Sequence, residues 1–234
     1  MNTLLAVIVF AGPWIDSPDF ALPMQETVLN ATLRLTYATQ LRGGQATAVR
    51  IGQQGPFVYY LTANHIVEKL ETVDLESYSS KSFPKPLMLI PQVDIKKRWP
   101  KVDLALLKAI EPDPPGFLLV PKEFVSGRFP YPALSCGCTF GDLPMLAVEQ
   151  VTRQLRVRKL DNTVGDYWET EKKPVVGRSG GPLVNVNGEL IGICSGTDRE
   201  KGYYVHVGEI ITSLRSCDLD RLLVQPAKAA HAEK

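Results

Sequence analysis

The chain is poor in the residues from which metal and redox centres are built, with three histidines (His65, His206, His231) and four cysteines in 234 residues. Cys136 and Cys138 are two apart and so share one side of any strand, while Cys194 and Cys217 lie far downstream. No spacing among them matches a zinc site, so neither a metal nor a cofactor is expected. Charge is nearly balanced, with a net value of +1, which removes any bulk electrostatic case for a nucleic-acid partner. The basic stretch RQLRVRK (153–159) alternates Arg156 and Arg158 with Leu155 and Val157, the pattern of an exposed strand face. The apolar opening MNTLLAVIVFAG is too short to span a bilayer, so no stable membrane insertion is expected. Its length suits a signal-peptide core, with Val9 and Ala11 as small residues before a cleavage site. Against that, no Lys or Arg precedes the run and Pro13 follows it. Residues 1–23 are therefore expected to be a signal peptide or an N-terminal extension. The first reading implies export (secreted or periplasmic) and the second a cytoplasmic protein.

What the sequence has in quantity is β pattern. TLRLTYA (32–38), ATAVRI (46–51), FVYYLTA (57–63), TVDLESY (72–78), PLMLIPQVDI (86–95) and VDLALLKAI (102–110) are short, rich in β-branched or aromatic residues and partly alternating. Glycine-bearing turns at 43–44 and 52–56 separate the first three, and ANHIVEKL (63–70) fits a brief helical turn. A proline-rich stretch over 111–130 cannot serve a central strand and reads as a linker or surface crossing. Beyond it the pattern resumes at 133–141, 145–160, 166–171, 181–186, 189–195 and 203–208. Asn187–Gly188 marks a hairpin, and GEIITSLRS (208–216) has helical spacing. Six strands, a linker and six more strands predict an all-β fold of two six-stranded antiparallel barrels side by side, with a short C-terminal helix. The expected division is a first barrel over 24–110, the linker over 111–130, a second barrel with its helix over 131–216, and a tail over 217–234.

Three stretches carry residues able to do chemistry: LTANHIV around His65, VDLALL around Asp103, and GRSGGPLV around Ser179. They resemble, in the same order, the Leu-Thr-Ala-Ala-His, Asp-Ile-Ala-Leu-Leu and Gly-Asp-Ser-Gly-Gly-Pro-Leu segments of trypsin-like serine peptidases. The third also resembles the Gly-Asn-Ser-Gly-Gly form common in bacterial members. GYYVHV (202–207) is similar to the strand that closes the family's specificity pocket, so the resemblance spans residues 61–207. It implies the chymotrypsin fold and a serine endopeptidase acting on a peptide or protein substrate through an acyl-enzyme. A serine hydroxyl needs a base to take its proton, which histidine supplies near neutral pH, and a carboxylate to orient that base. The resemblance thus assigns His65, Asp103 and Ser179 as the triad. The backbone N–H groups of Gly177 and Ser179 become the oxyanion donors.

The resemblance also implies that Ser195 and Gly196 bind substrate backbone and that Gly196 and Gly202 line an open-walled S1 pocket. Lys173, six residues before Ser179, would stand at the pocket base and favour an acidic P1 side chain. One departure stands out. Arg178 occupies the place where the family has Asp or Asn, and where animal trypsins pair Asp with an N-terminus released by cleavage. An arginine cannot accept that pair. It could tie the oxyanion loop to backbone carbonyls or to a carboxylate such as Glu169 or Glu171, or it could distort the loop. The latter gives the alternative function: a catalytically silent domain that binds an extended peptide or protein partner.

Overall fold

The computed structural model describes residues 13–38, 43–124, 127–158 and 163–224. The whole apolar opening run, residues 1–12, and residues 225–234 of the expected tail lie outside that set. The elements run α1 (Leu22–Ala31), β1 (Thr32–Ala38), β2 (Gly43–Gln54), β3 (Phe57–Ala63), α2 (Asn64–Val67), β4 (Thr72–Ser77), β5 (Met88–Trp99) and β6 (Leu104–Ile110). They continue with β7 (Val120–Pro121), β8 (Tyr131–Cys138), β9 (Pro144–Arg158), β10 (Val164–Thr170) and β11 (Pro182–Val184). Last come β12 (Leu190–Thr197), β13 (Gly202–His206), α3 (Val207–Arg215) and β14 (Leu223–Val224). One barrel closes in the order β1-β2-β3-β6-β5-β4 and the other in the order β8-β9-β10-β13-β12-β11. Each follows the same path through its own strands, and their pairings are antiparallel.

Alternation explains where the site sits. Inside the first barrel lie Leu33, Leu35, Ala46, Ala48, Val58, Tyr60, Ala105 and Leu107. The opposite faces of β2, β3 and β6 turn Val49, Ile51, Leu61, Leu104 and Leu106 into a core shared with Leu134, Leu183, Ile193 and Val205 of the second barrel. Strands buried on both faces read as nearly continuous apolar runs, as FVYYLTA and DLALL do. The end of β3 and the start of β6 therefore open onto the junction between the barrels, with His65 just after the one and Asp103 just before the other.

Three features went beyond the sequence expectation. Helix α1 precedes the first strand, without a side-chain N-cap bond and with a proline in its first turn. It is held by burial of Val28, Leu29 and Ala31 and by Gln25, whose amide donates to the carbonyls of Ile15 and Phe20 at 2.8 Å each. The 111–130 stretch is no mere surface crossing, since Leu118 and Val120 are fully buried and β7 pairs in parallel with β14. Its first residue, Glu111, is buried against Arg50: the Arg50 Nε donates to Glu111 at 2.7 Å, Tyr60 donates to the same carboxylate at 2.6 Å, and Nη2 bonds it as well. In the β11–β12 hairpin only Gly188 takes positive φ (79°), while the Asn185 side chain accepts from the N–H groups of Asn187 and Glu189 at 3.0 Å each. Among the described residues, no helix is long and apolar enough to cross a membrane.

Candidate active site

His65 and Asp103 meet because their strands are neighbours. Ala63 of β3 pairs with Leu104 of β6, so the residue just past one strand end faces the residue just before the other. Asp103 follows a 3-10 turn over Pro100–Val102 and takes a left-handed conformation (φ 59°), which aspartate tolerates better than most residues. Its carbonyl accepts from Asn64 N at 3.2 Å, and its Oδ1 accepts from His65 N at 2.8 Å. Oδ2 receives two further donors, His65 Nδ1 at 2.8 Å and the Ser195 hydroxyl at 2.5 Å. Burial alone would raise the Asp103 pKa, but the bonds from His65 and Ser195 outweigh it and hold the carboxyl below its usual range. An ionised acceptor at Nδ1 puts the ring proton there and leaves the Nε2 lone pair free to take a proton.

Ser179 lies on the loop between β10 and β11, which doubles back tightly. Gly177 has φ +94°, and a Cβ there would stand 2.1 Å from the Cys138 carbonyl oxygen, so only glycine fits. Gly180 has φ +86° with the Thr47 carbonyl as close, so it packs the loop onto the first barrel. Thr47, buried on β2, clamps the loop from across the junction. Its N–H donates to Ser179 O at 2.9 Å, and its hydroxyl donates to Gly177 O at 2.8 Å while accepting from Cys138 N at 2.9 Å. With those carbonyls held, the N–H groups of Gly177 and Ser179 donate to no other group among the described residues. His65, Gly177 and Ser179 line one cavity of about 480 Å³ together with Tyr37, Gln45 and Val176. No hydrogen bond joins the Ser179 hydroxyl to His65 among the described residues; resting sites often hold this contact long.

Arg178 turns away from solvent. It is 5 % exposed, and its Nη1 donates to Met145 O at 2.9 Å and more weakly to Gly137 O at 3.4 Å. Nη2 donates to the Ser135 hydroxyl at 2.7 Å, and that hydroxyl donates to Glu149 Oε1 at 3.0 Å. Backbone carbonyls are thus among its partners, as anticipated, but the carboxylate is neither Glu169 nor Glu171. Glu169 pairs instead with Arg153 at 2.7 Å, and Glu171 is exposed.

The residues anticipated for substrate contact are scattered. Ser195 and Gly196 lie on β12 beside the cavity, and a Cβ at Gly196 would meet open space. Gly202 instead packs on the segment before the loop, where a Cβ would stand 2.6 Å from Pro174 and 2.9 Å from the Lys172 carbonyl. Lys173 is exposed and is not part of the cavity wall, which is formed there by Pro174, Val175 and Val176. A second cavity of about 380 Å³ shares Gly196 and Thr197 with the first and is walled by Leu155, Val157, Tyr167 and Tyr203. All four cysteines are free thiols, and burial pushes Cys136 up to about 11 and Cys138 and Cys194 up to about 12. Among the described residues, no cluster of three or more His, Cys, Asp or Glu side chains could hold a metal.

Comparison with known proteins agrees with this fold. A family model described as a trypsin-like peptidase domain matches residues 46–193. A probable periplasmic serine endoprotease, DegP-like, of Chlamydia pneumoniae is 25% identical over 160 residues, covering 68% of this chain and 30% of that protein. A DegP-like relative from Chlamydia trachomatis is likewise matched over only 34% of its length, so the chain spans about a third of the curated relatives it matches. Among solved structures, the active form of the Rv3671c protease of M. tuberculosis superposes with a TM-score of 0.70 at 18% identity, covering 92% of this chain and 95% of that one. The HtrA-type protease AlgW with a bound tripeptide gives a TM-score of 0.66 at 21% identity, covering 86% of this chain and 64% of that one.

Proposed function

The chain belongs to the trypsin-like peptidase domain family, and from that premise we propose that it is a serine endopeptidase with His65, Asp103 and Ser179 as its triad. The observation that carries this reading is that the hydrogen-bonded His65–Asp103 pair opens on the same cavity as Ser179 and two unengaged N–H groups. His65 Nε2 takes the Ser179 proton as Oγ attacks the scissile carbonyl. The oxyanion that forms is met by the N–H groups of Gly177 and Ser179, worth a factor of about 10²–10³ in rate for each donor. The imidazolium, stabilised by Asp103, then gives its proton to the leaving amine, and water repeats the sequence on the acyl-enzyme.

The substrate is an extended peptide laid against β12 at Ser195–Thr197, with backbone bonds supplying affinity and the two cavities supplying selectivity. The walls Pro174, Val175 and Val176, with Gly202 packed shut, favour a small apolar P1 side chain over the acidic one that the position of Lys173 suggests. Leu155, Val157 and Tyr203 favour a further apolar side chain upstream. The tripeptide bound to AlgW supports a peptide ligand, and the periplasmic relatives support export; a leader over all of 1–23 does not suit the fold, since Ile15 and Phe20 hold α1 through Gln25. In domain terms, residues 24–110 would carry the base and its carboxylate, and 131–216 the nucleophile. The test is cleavage of an unfolded protein by the wild type and by Ser179→Ala. Cleavage that requires Ser179 supports the reading. A wild type that binds such a chain without cutting it would establish the silent peptide-binding alternative instead.

A further inference from the structure

We propose that Arg178, Ser135 and Glu149 form a built-in anchor that holds the oxyanion loop in register, with Ser135 and Glu149 acting as positioning residues through Arg178. The inference rests on the peptidase reading above and adds how the loop is held. Arg178 lies between the two oxyanion donors in sequence, so wherever its side chain is fixed, the orientation of both N–H groups is fixed with it. Its guanidinium enters the second barrel and reaches two strands at once, β8 through Gly137 O and Ser135 Oγ and β9 through Met145 O. Glu149, 7 % exposed on β9, supplies the opposing charge through the Ser135 hydroxyl.

The surroundings are cut to fit this side chain. A Cβ at Gly137 would lie 3.0 Å from both Cα and Cβ of Arg178 and 3.1 Å from its Cγ. Glycine at that point of β8 lets the arginine pass directly over the strand. The arrangement also explains why a carboxylate stands inside a barrel. Burial raises the Glu149 pKa, with the Ser135 bond and the Arg178 charge opposing that rise. Without a cation nearby, a buried glutamate would be a cost with no return. Loop and barrel thus carry charges that need no newly released N-terminus, because cation and anion both belong to the folded chain.

Thr47 holds the same loop from the first barrel by its carbonyls. It fixes the backbone at Gly177 and Ser179, whereas Arg178 fixes the residue between them from the opposite side. The two devices therefore act on different atoms and can be separated by mutation.

The experiment uses the full chain and three readouts: the rate of labelling by a fluorophosphonate, kcat and KM on a peptide substrate, and amide hydrogen exchange of peptides covering 175–181. Two variants are informative. Gly137→Ala forces Arg178 off β8 without changing any charge. The double variant Arg178→Met/Glu149→Gln removes both charges together and so avoids an unpaired buried ion. The anchor predicts that both remain folded, exchange faster over 175–181 and label on the order of 100-fold more slowly, the effect of a misaimed oxyanion donor. It also predicts that kcat falls with little change in KM, because the apolar cavity walls are untouched. A double variant that labels and exchanges like the wild type would overturn the anchor, leaving the network as simple charge balance. If the wild type itself does not label, the peptidase reading fails, and the exchange comparison still decides the anchor on its own.

Discussion

Replacing Asp103 by Asn changes one atom type and should abolish most activity while leaving the fold intact. The carboxylate accepts from His65 N through Oδ1, and from His65 Nδ1 and the Ser195 hydroxyl through Oδ2. In the variant the amide oxygen must stay on the His65 N–H, the one donor that cannot turn. The amide NH₂ then occupies the Oδ2 position and faces two groups that formerly donated to it. Ser195 can rotate its hydroxyl to accept, and His65 can accept only by moving its proton to Nε2. The bond from His65 N is kept and the two at the Oδ2 position are remade with reversed polarity, so stability should change by no more than about 1 kcal/mol. The chemical cost is larger, because Nε2 now presents a proton to Ser179 instead of a lone pair. A base held in the wrong tautomer loses about 10⁴ in kcat, or about 5 kcal/mol at 1.36 kcal/mol per decade. The assay is kcat/KM on a chromogenic peptide, beside urea unfolding of the same preparation. A loss under tenfold in a folded variant would refute the assignment of His65 as a base oriented by Asp103.

Thr47→Val keeps the shape of the side chain but strands Gly177 O and Cys138 N, and should cost about 1–3 kcal/mol in urea unfolding while slowing acylation of Ser179. Glu111→Ala leaves the fully buried Arg50 cation without its counter-charge and should destabilise the protein by about 3–5 kcal/mol, again read by urea unfolding. His206 accepts from Gly208 N at 2.9 Å as the cap of α3, and burial lowers its pKa from 6.5. The unfolded chain then takes up its proton first, so stability should decline as pH falls below about 6.5 and stop declining below the native value. His206→Gln should flatten that part of the pH–stability curve, and an unchanged slope would remove His206 as its source.

The barrels were legible because their strands obey local rules. β1, β3 and β6 begin or end within two residues of where β-branched alternation and glycine turns place them. The paired barrels were visible as two runs of six strands around a proline-rich break. What escaped was whatever tertiary contact alone decides. Helix α1 has no side-chain cap and owes its existence to buried Val28 and Leu29 and to Gln25 reaching across ten residues to Ile15. Thr47 gave no signal beyond a polar residue in an apolar strand, and its partners are about 90 and 130 positions away. Ser195 was expected to bind substrate through its backbone, and its side chain turns out to donate to Asp103 as well. Arg178 was recognised as a departure, but its direction could not be read, because Ser135 and Glu149 lie on strands whose register the sequence does not specify.

The central claim is that Ser179 is an activated nucleophile, and intact-mass spectrometry after fluorophosphonate treatment tests it most directly. The account predicts one adduct per chain, mapped to the peptide carrying Ser179, and none on Ser179→Ala or on His65→Ala. A folded wild type that stays unmodified, or an adduct that persists in Ser179→Ala, would contradict it.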